Sequence, residues 1–291
     1  MHRTISALLL CAQLIGLATL AQSPKSSGFN LYSIADEKSK GLDEAKTLDE
    51  ILVIAADRTL DGYFANLTAA FLKHADSLFS FTFRAYQDRK LPVVTGLKFI
   101  MPQDAFLGKA TEPICVAGGF IYIPLSLLAE APNETAFGFQ VAHAMAHIAL
   151  RHGTRTQSRL DVMEKSTLGL KEGLSEVQQQ GKEGFPKLQR QGLEQMLKNV
   201  QRKFSRDYEL EADEAAMRMM ARSGFDPSFV IPYLEKLADI EEAEPFRSYH
   251  PSRRRRIEVV KERIAGIASQ EIPVKIEGFT EAKDFAAALR E

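Results

Sequence analysis

The sequence predicts an α+β fold, predominantly helical, in which a small antiparallel sheet packs beside one buried central helix. Three observations carry that prediction. From Leu48 to Phe79 apolar residues recur at helical spacing, whereas Leu78 to Tyr86 alternates as a half-buried strand does. Between Glu134 and Arg151 there is no Asp, Glu, Lys or Arg, so a helix there must be buried all round. Apolar residues make up 45% and charged residues 26% of the 291, enough for one sizeable core, and residues 50–291 read as a single domain. The 37 basic and 38 acidic residues nearly cancel, so no bulk field draws the chain to nucleic acid or anionic lipid.

The first residues set the expected compartment. His2 and Arg3 precede an apolar run from Ala7 to Ala21, followed by polar Gln22 to Gly28, the zones of a secretory signal cleaved after Ala21. About 15 apolar residues fall short of the roughly 20 that span a bilayer. The expectation is export to the periplasm or beyond, with no transmembrane segment in the mature chain. Cys11 lies within that leader, behind a bulky Leu10 that disfavours lipid attachment. Cys115 alone remains, which closes no internal disulfide.

Residues 22–49 read as a polar lead-in strap with only Phe29, Leu31 and Tyr32 to bury. Two helices follow between Leu48 and Phe79, with the break placed near Asp61-Gly62. After the Leu78–Tyr86 strand, whose Phe79, Phe81 and Phe83 share a face, strands are expected over Val93–Met101 and Ile114–Ile123, the latter entered through Gly118-Gly119. Asn133 caps a helix running from Glu134 to His152, and Gly153 offers its stop. The stretch at about 158–203, rich in Gln, Lys and Glu, reads as a polar, exposed helical insertion. A further helix runs from Ser205 to Ser223 and is closed by Gly224. Helices at Pro227–Ile240 and Arg254–Ala268, then a strand and a short helix, complete the chain.

Four groups bear chemistry. His143 and His147 stand four apart on the buried helix, so both rings leave one face and can grip one metal ion; the alternative is a pair of hydrogen-bonded core histidines. Glu209 and Asp213 repeat that spacing on a later helix, where one carboxylate can ligate and the other receive the second N–H of a ligating histidine. A solvated acidic patch is the alternative there. Glu211, rotated roughly 200° from Glu209, faces elsewhere. His250-Pro251 precedes Arg256-Ile257, so His250 is either a further ligand, a donor to substrate or a surface histidine. The run Arg253 to Arg256 reads as a solvated, ion-paired face.

Together these residues resemble family forty-eight of the metallopeptidases, the group containing HtpX, BepA and the CAAX prenyl proteases. The family's HExxH helix is matched by His143-Ala144-Met145-Ala146-His147, its ExxAD segment by Glu209 to Asp213, and its HPxxxxRI element by His250 to Ile257. The resemblance implies a zincin-like fold holding one Zn2+ ion on His143, His147 and Glu209, with Asp213 behind a ligand. His250 is carried over as a possible fourth ligand or substrate donor. It also implies that Gly119, Phe120, Ile121 and Tyr122 form a strand that borders the cleft and hydrogen-bonds extended substrate. Ala144 departs from the pattern, because family members carry there the glutamate that takes a proton from the attacking water and passes it to the leaving amine. A natural pseudoenzyme, an engineered inactive variant and a base recruited from elsewhere all fit that departure. The expected function is a zinc-binding metalloendopeptidase homologue of envelope protein quality control, impaired in hydrolysis, with unfolded or misfolded exported proteins as substrate or client. The alternatives are a non-catalytic chaperone or binding module and an active endopeptidase with a different base.

Overall fold

The computed structural model describes residues 28–88, 96–101, 112–179, 184–236, 251–264 and 276–290. The expected signal segment, His250 and most of the C-terminal stretch in which a last strand is expected lie outside them. Helix α1 (Ile34–Ile51) occupies the supposed strap, opened by a capping box between Ser33 and Asp36. Its buried face is Glu37, Gly41, Ala45 and Leu48, a helical stripe with one apolar residue of any size, which is why hydropathy does not reveal it. A Cβ at Gly41 would lie 1.7 Å from the Ala117 carbonyl oxygen, so only glycine lets the helix approach this closely.

Helix α2 (Arg58–Leu72) is capped by Asp57, whose side chain accepts from the Thr59 N–H. Asp61-Gly62 sits inside this helix and not at a break. A glycine costs a helix only about 1 kcal/mol, and burial of Leu60, Tyr63, Phe64, Leu67 and Phe71 outweighs that. The break falls instead at residues 52–57, where Ile54 bridges to Tyr86.

Four strands form one sheet: β1 (Thr82–Tyr86), β2 (Ile100–Met101), β3 (Ile114–Val116) and β4 (Phe120–Pro124), in the order β1-β4-β3-β2. The stretch Ile114–Ile123 is therefore a hairpin and not one strand, turned by Gly118 and Gly119 at φ +84° and +119°. The β2–β3 and β3–β4 pairs are antiparallel, but β1 runs parallel to β4, so the sheet is mixed. This topology corrects the substrate-strand reading. Phe120, Ile121 and Tyr122 pair with β1 on one side and β3 on the other, and the Gly119 carbonyl accepts from Thr82 N–H. An interior strand has no backbone groups left for an extended chain.

Alternation along β4 divides the core. Ile121 and Ile123 join a large cluster with Phe64, Phe137, Met145 and Met217, while Tyr122 turns to the opposite face with Leu48, Tyr86 and Val116. Short α3 (Leu125–Ala129) leads to α4 (Glu134–Ala149), capped by Asn133 accepting from Ala136 N–H at 2.8 Å. Every residue of α4 from Ala136 to its end is buried.

Helix α4 stops before His152, at Leu150-Arg151, where Arg151 takes φ +62°. That left-handed residue is held by its own guanidinium, which donates to Glu37 and to the Tyr32 carbonyl oxygen. A new helix, α5 (His152–Gln179), begins at once and includes Gly153. Its partner α6 (Gly184–Arg222) is continuous through Ser205, so the described parts of the polar stretch, 158–179 and 184–203, belong to two long helices that pack on each other. The C-terminal half of α6 packs along α4. A 3-10 turn (Pro227–Phe229), α7 (Val230–Lys236), α8 (Arg253–Ile264) and α9 (Phe279–Ala288) follow.

Two glycine substitutions should separate close approach from helix propensity. Gly41→Ala forces α1 off the β3–β4 turn and should lower stability by about 1–3 kcal/mol. Gly62→Ala, with nothing within 4 Å of the added Cβ, should raise it by about 0.5–1 kcal/mol in denaturant titration.

Candidate metal centre

The two α4 histidines lie one turn apart and meet Glu209 from α6. His143 Nε2 is 3.2 Å from Glu209 Oε2, His147 Nε2 is 3.3 Å from Glu209 Oε1, and the two ring nitrogens are 2.9 Å apart. All three side chains are buried, and their ligand atoms lie within 4.8 Å of one another, so the group can hold a metal ion. The donor set fits zinc: two imidazoles and a carboxylate, with separations near the edge of about 3.3 to 3.4 Å expected of a tetrahedron with bonds of 2.0–2.1 Å.

Behind His143, Asp213 Oδ1 lies 2.9 Å from Nδ1, in an ion-pair contact rather than a straight hydrogen bond. Asp213 is fully buried, and Arg256 forks onto it, Nε donating at 2.8 Å and Nη2 at 2.7 Å. The solvated-face reading of the arginine run is thus corrected at one position. Arg254 and Arg255 do pair with Glu258 at the surface, but Arg256 shares the buried side of α8 with Val259 and Val260, three and four residues on.

Behind His147 stands a residue that sequence reasoning missed. His152 Nδ1 is 3.0 Å from His147 Nδ1, and His152 Nε2 is 3.2 Å from Glu211 Oε2. Arg155 donates to the same Glu211 oxygen at 3.2 Å, and the His152 ring stacks on Tyr208 at 4.5 Å. In an unbroken helix, residue 152 would sit roughly 140° round from residue 147. The break at Arg151 re-aims it. Glu211, rotated away from Glu209, reaches the three-residue group through His152.

Burial governs the charges. It disfavours a proton on His143, but Asp213 and Glu209 outweigh it and lift the group to about 9. His147 is pushed down, by burial first and against the pull of Glu209. Burial also holds His152 neutral, down to about 3. Burial would raise Glu211 and Asp213; His152 and Arg155 hold Glu211 at about 2, and Arg256 holds Asp213 below the usual carboxylate range. Glu112, just before β3, adds negative field at His147 and Arg256. Ala144 follows His143 with a buried methyl group, which neither ligates nor carries a proton. Glu209, Asp213 and Glu211 are each engaged as described, so none stands ready in place of a side chain at 144. His250 lies outside the described residues.

The model of peptidase family M48 matches residues 87–264, a span that contains His143, His147, Glu209, Asp213 and Arg256. The curated proteins give no match to the chain.

Two outcomes follow from the buried charges. Arg256→Met strands Asp213 and should cost about 3–5 kcal/mol in chemical denaturation, whereas Arg254→Met, on a side chain 90% exposed, should change stability by less than about 0.5 kcal/mol. In the metal-free protein His143 keeps its proton until about pH 9, above its ordinary 6.5, so a metal at Nε2 must expel it. Apparent zinc affinity should therefore rise about tenfold per pH unit from 7 to 9 and then flatten, as read by chelator competition, with about one proton released per ion at neutral pH.

Proposed function

The chain belongs to peptidase family M48, and on that footing we propose that it is a zinc-binding metalloendopeptidase homologue with little or no peptide-bond hydrolysis of its own. One observation carries the reading: His143, His147 and Glu209 converge as a ligand set while position 144 offers only a methyl group. Peptidases of this family are zinc-dependent, and the donor atoms suit that ion. Bound zinc supplies Lewis-acid polarisation of a carbonyl. The protein must supply the rest, a group that accepts a proton from water and returns it to the leaving nitrogen, and that assistance is worth about 10²- to 10⁴-fold.

The leader pattern from His2 to Ala21 supports an exported, envelope-side protein, with unfolded or misfolded exported chains as its clients in quality control. Among the described residues no helix is long and apolar enough to cross a membrane. A second reading, a holder of extended chains that needs no metal, draws on the same methyl group. It is separated by metal dependence, since His147→Ala and Glu209→Ala would then leave client binding and thermal stability unchanged.

The test pairs zinc stoichiometry with casein digestion. The wild-type chain should hold about one zinc per molecule and digest casein barely above background, and Ala144→Glu should raise digestion by about 10²- to 10⁴-fold. Ordinary metallopeptidase turnover by the wild-type chain, abolished by chelation and by His143→Ala, would overturn the proposal.

A further inference from the structure

We infer that His152, seated by Glu211, is the positioning residue that fixes the ring of His147 for the metal. The inference rests on the reading of His143, His147 and Glu209 as a metal centre. Two kinds of observation carry it. The first is the run of contacts from His147 Nδ1 to His152 Nδ1 at 3.0 Å and from His152 Nε2 to Glu211 Oε2 at 3.2 Å. A histidine that ligates through Nε2 carries its proton on Nδ1. That N–H needs an acceptor, and the bare Nδ1 of His152 is one only when its own proton sits on Nε2. Glu211, an ionised carboxylate, holds the proton there. One arrangement of hydrogens thus satisfies all three groups, with both histidines neutral and the carboxylate at the outer end.

The second is the seat built for His152. Its side chain is fully buried and stacks on Tyr208 with 13° between the planes. Tyr208 is itself fixed, its hydroxyl accepting from Arg159 Nε at 2.8 Å and its ring lying under the Arg155 guanidinium. The backbone contributes as well. The left-handed Arg151, clamped by Glu37, is what turns residue 152 toward the metal-facing histidines. The two ligating rings are therefore supported unequally, His143 by a carboxylate and His147 by a neutral ring that relays one.

Zinc affinity tests this, measured by competition with a chromophoric chelator and set beside the melting temperature of the zinc-free protein. His152→Phe keeps a ring on Tyr208 but removes the acceptor, and should weaken zinc binding by about 10- to 100-fold. His152→Asn, whose Oδ1 falls near the position of Nδ1, should recover most of the loss. Zinc-free melting should not track this order. Equal affinity in wild type and His152→Phe, or equal weakening in Phe and Asn, overturns the inference and leaves the metal centre standing, provided that wild-type uptake is lost in His143→Ala. A wild-type chain that takes up no zinc overturns both. Should His152→Phe fail to fold, Glu211→Ala reads the same relay from a side chain 37% exposed; unchanged affinity there overturns the inference.

Discussion

Charge that has no access to water must be answered by charge or by a hydrogen bond, and that constraint organises this molecule around α4. The helix itself carries no ionised residue along its buried length apart from what its histidines hold. Its partners bring the rest: Glu209 and Asp213 from α6 and Arg256 from α8. Asp213 faces a histidine on one side and a guanidinium on the other, so one carboxylate ties three helices. A buried ion pair gives weak net stability but a large loss when half of it is removed. Removing any one of these charged side chains therefore leaves another buried without its partner.

The same rule sets the break between α4 and α5. Glu37 is 1% exposed and collects Arg151, Thr154 and Asn30. Burial raises its carboxyl above the usual carboxylate range, and these donors oppose that only in part. A single buried carboxylate on α1 thus holds the left-handed residue that ends one helix and starts the next. Gly41, one turn along α1, lets that helix come close enough to the sheet for Glu37 to reach.

What the sequence made legible follows from what periodicity can encode. His143 with His147, and Glu209 with Asp213, lie at a spacing that a straight helix turns into a common face, and the structure brings those faces together. The buried central helix was legible from its lack of charge. Helix α1 was hidden because Glu37, Gly41 and Ala45 form its inner face. The β3–β4 hairpin was hidden because its residues are apolar on both sides of the turn, as an interior strand demands. His152 escaped because its role depends on one non-glycine residue with positive φ, and Arg256 because three exposed-looking arginines precede it. In each case a tertiary contact, not a local pattern, decides the outcome.

The unbroken course of α6 has a further consequence. Its 39 residues rise about 58 Å at 1.5 Å each, and Glu209 lies well past the middle, so the outer arm and the ligand share one rod without a joint. Sequence change in the arm is then transmitted as phase: one residue inserted ahead of Ser205 turns everything outboard by about 100° relative to Glu209. Insertions of about seven residues, nearly two full turns, preserve which side of the arm faces α5. Homologous arms free to vary in length should do so in those steps.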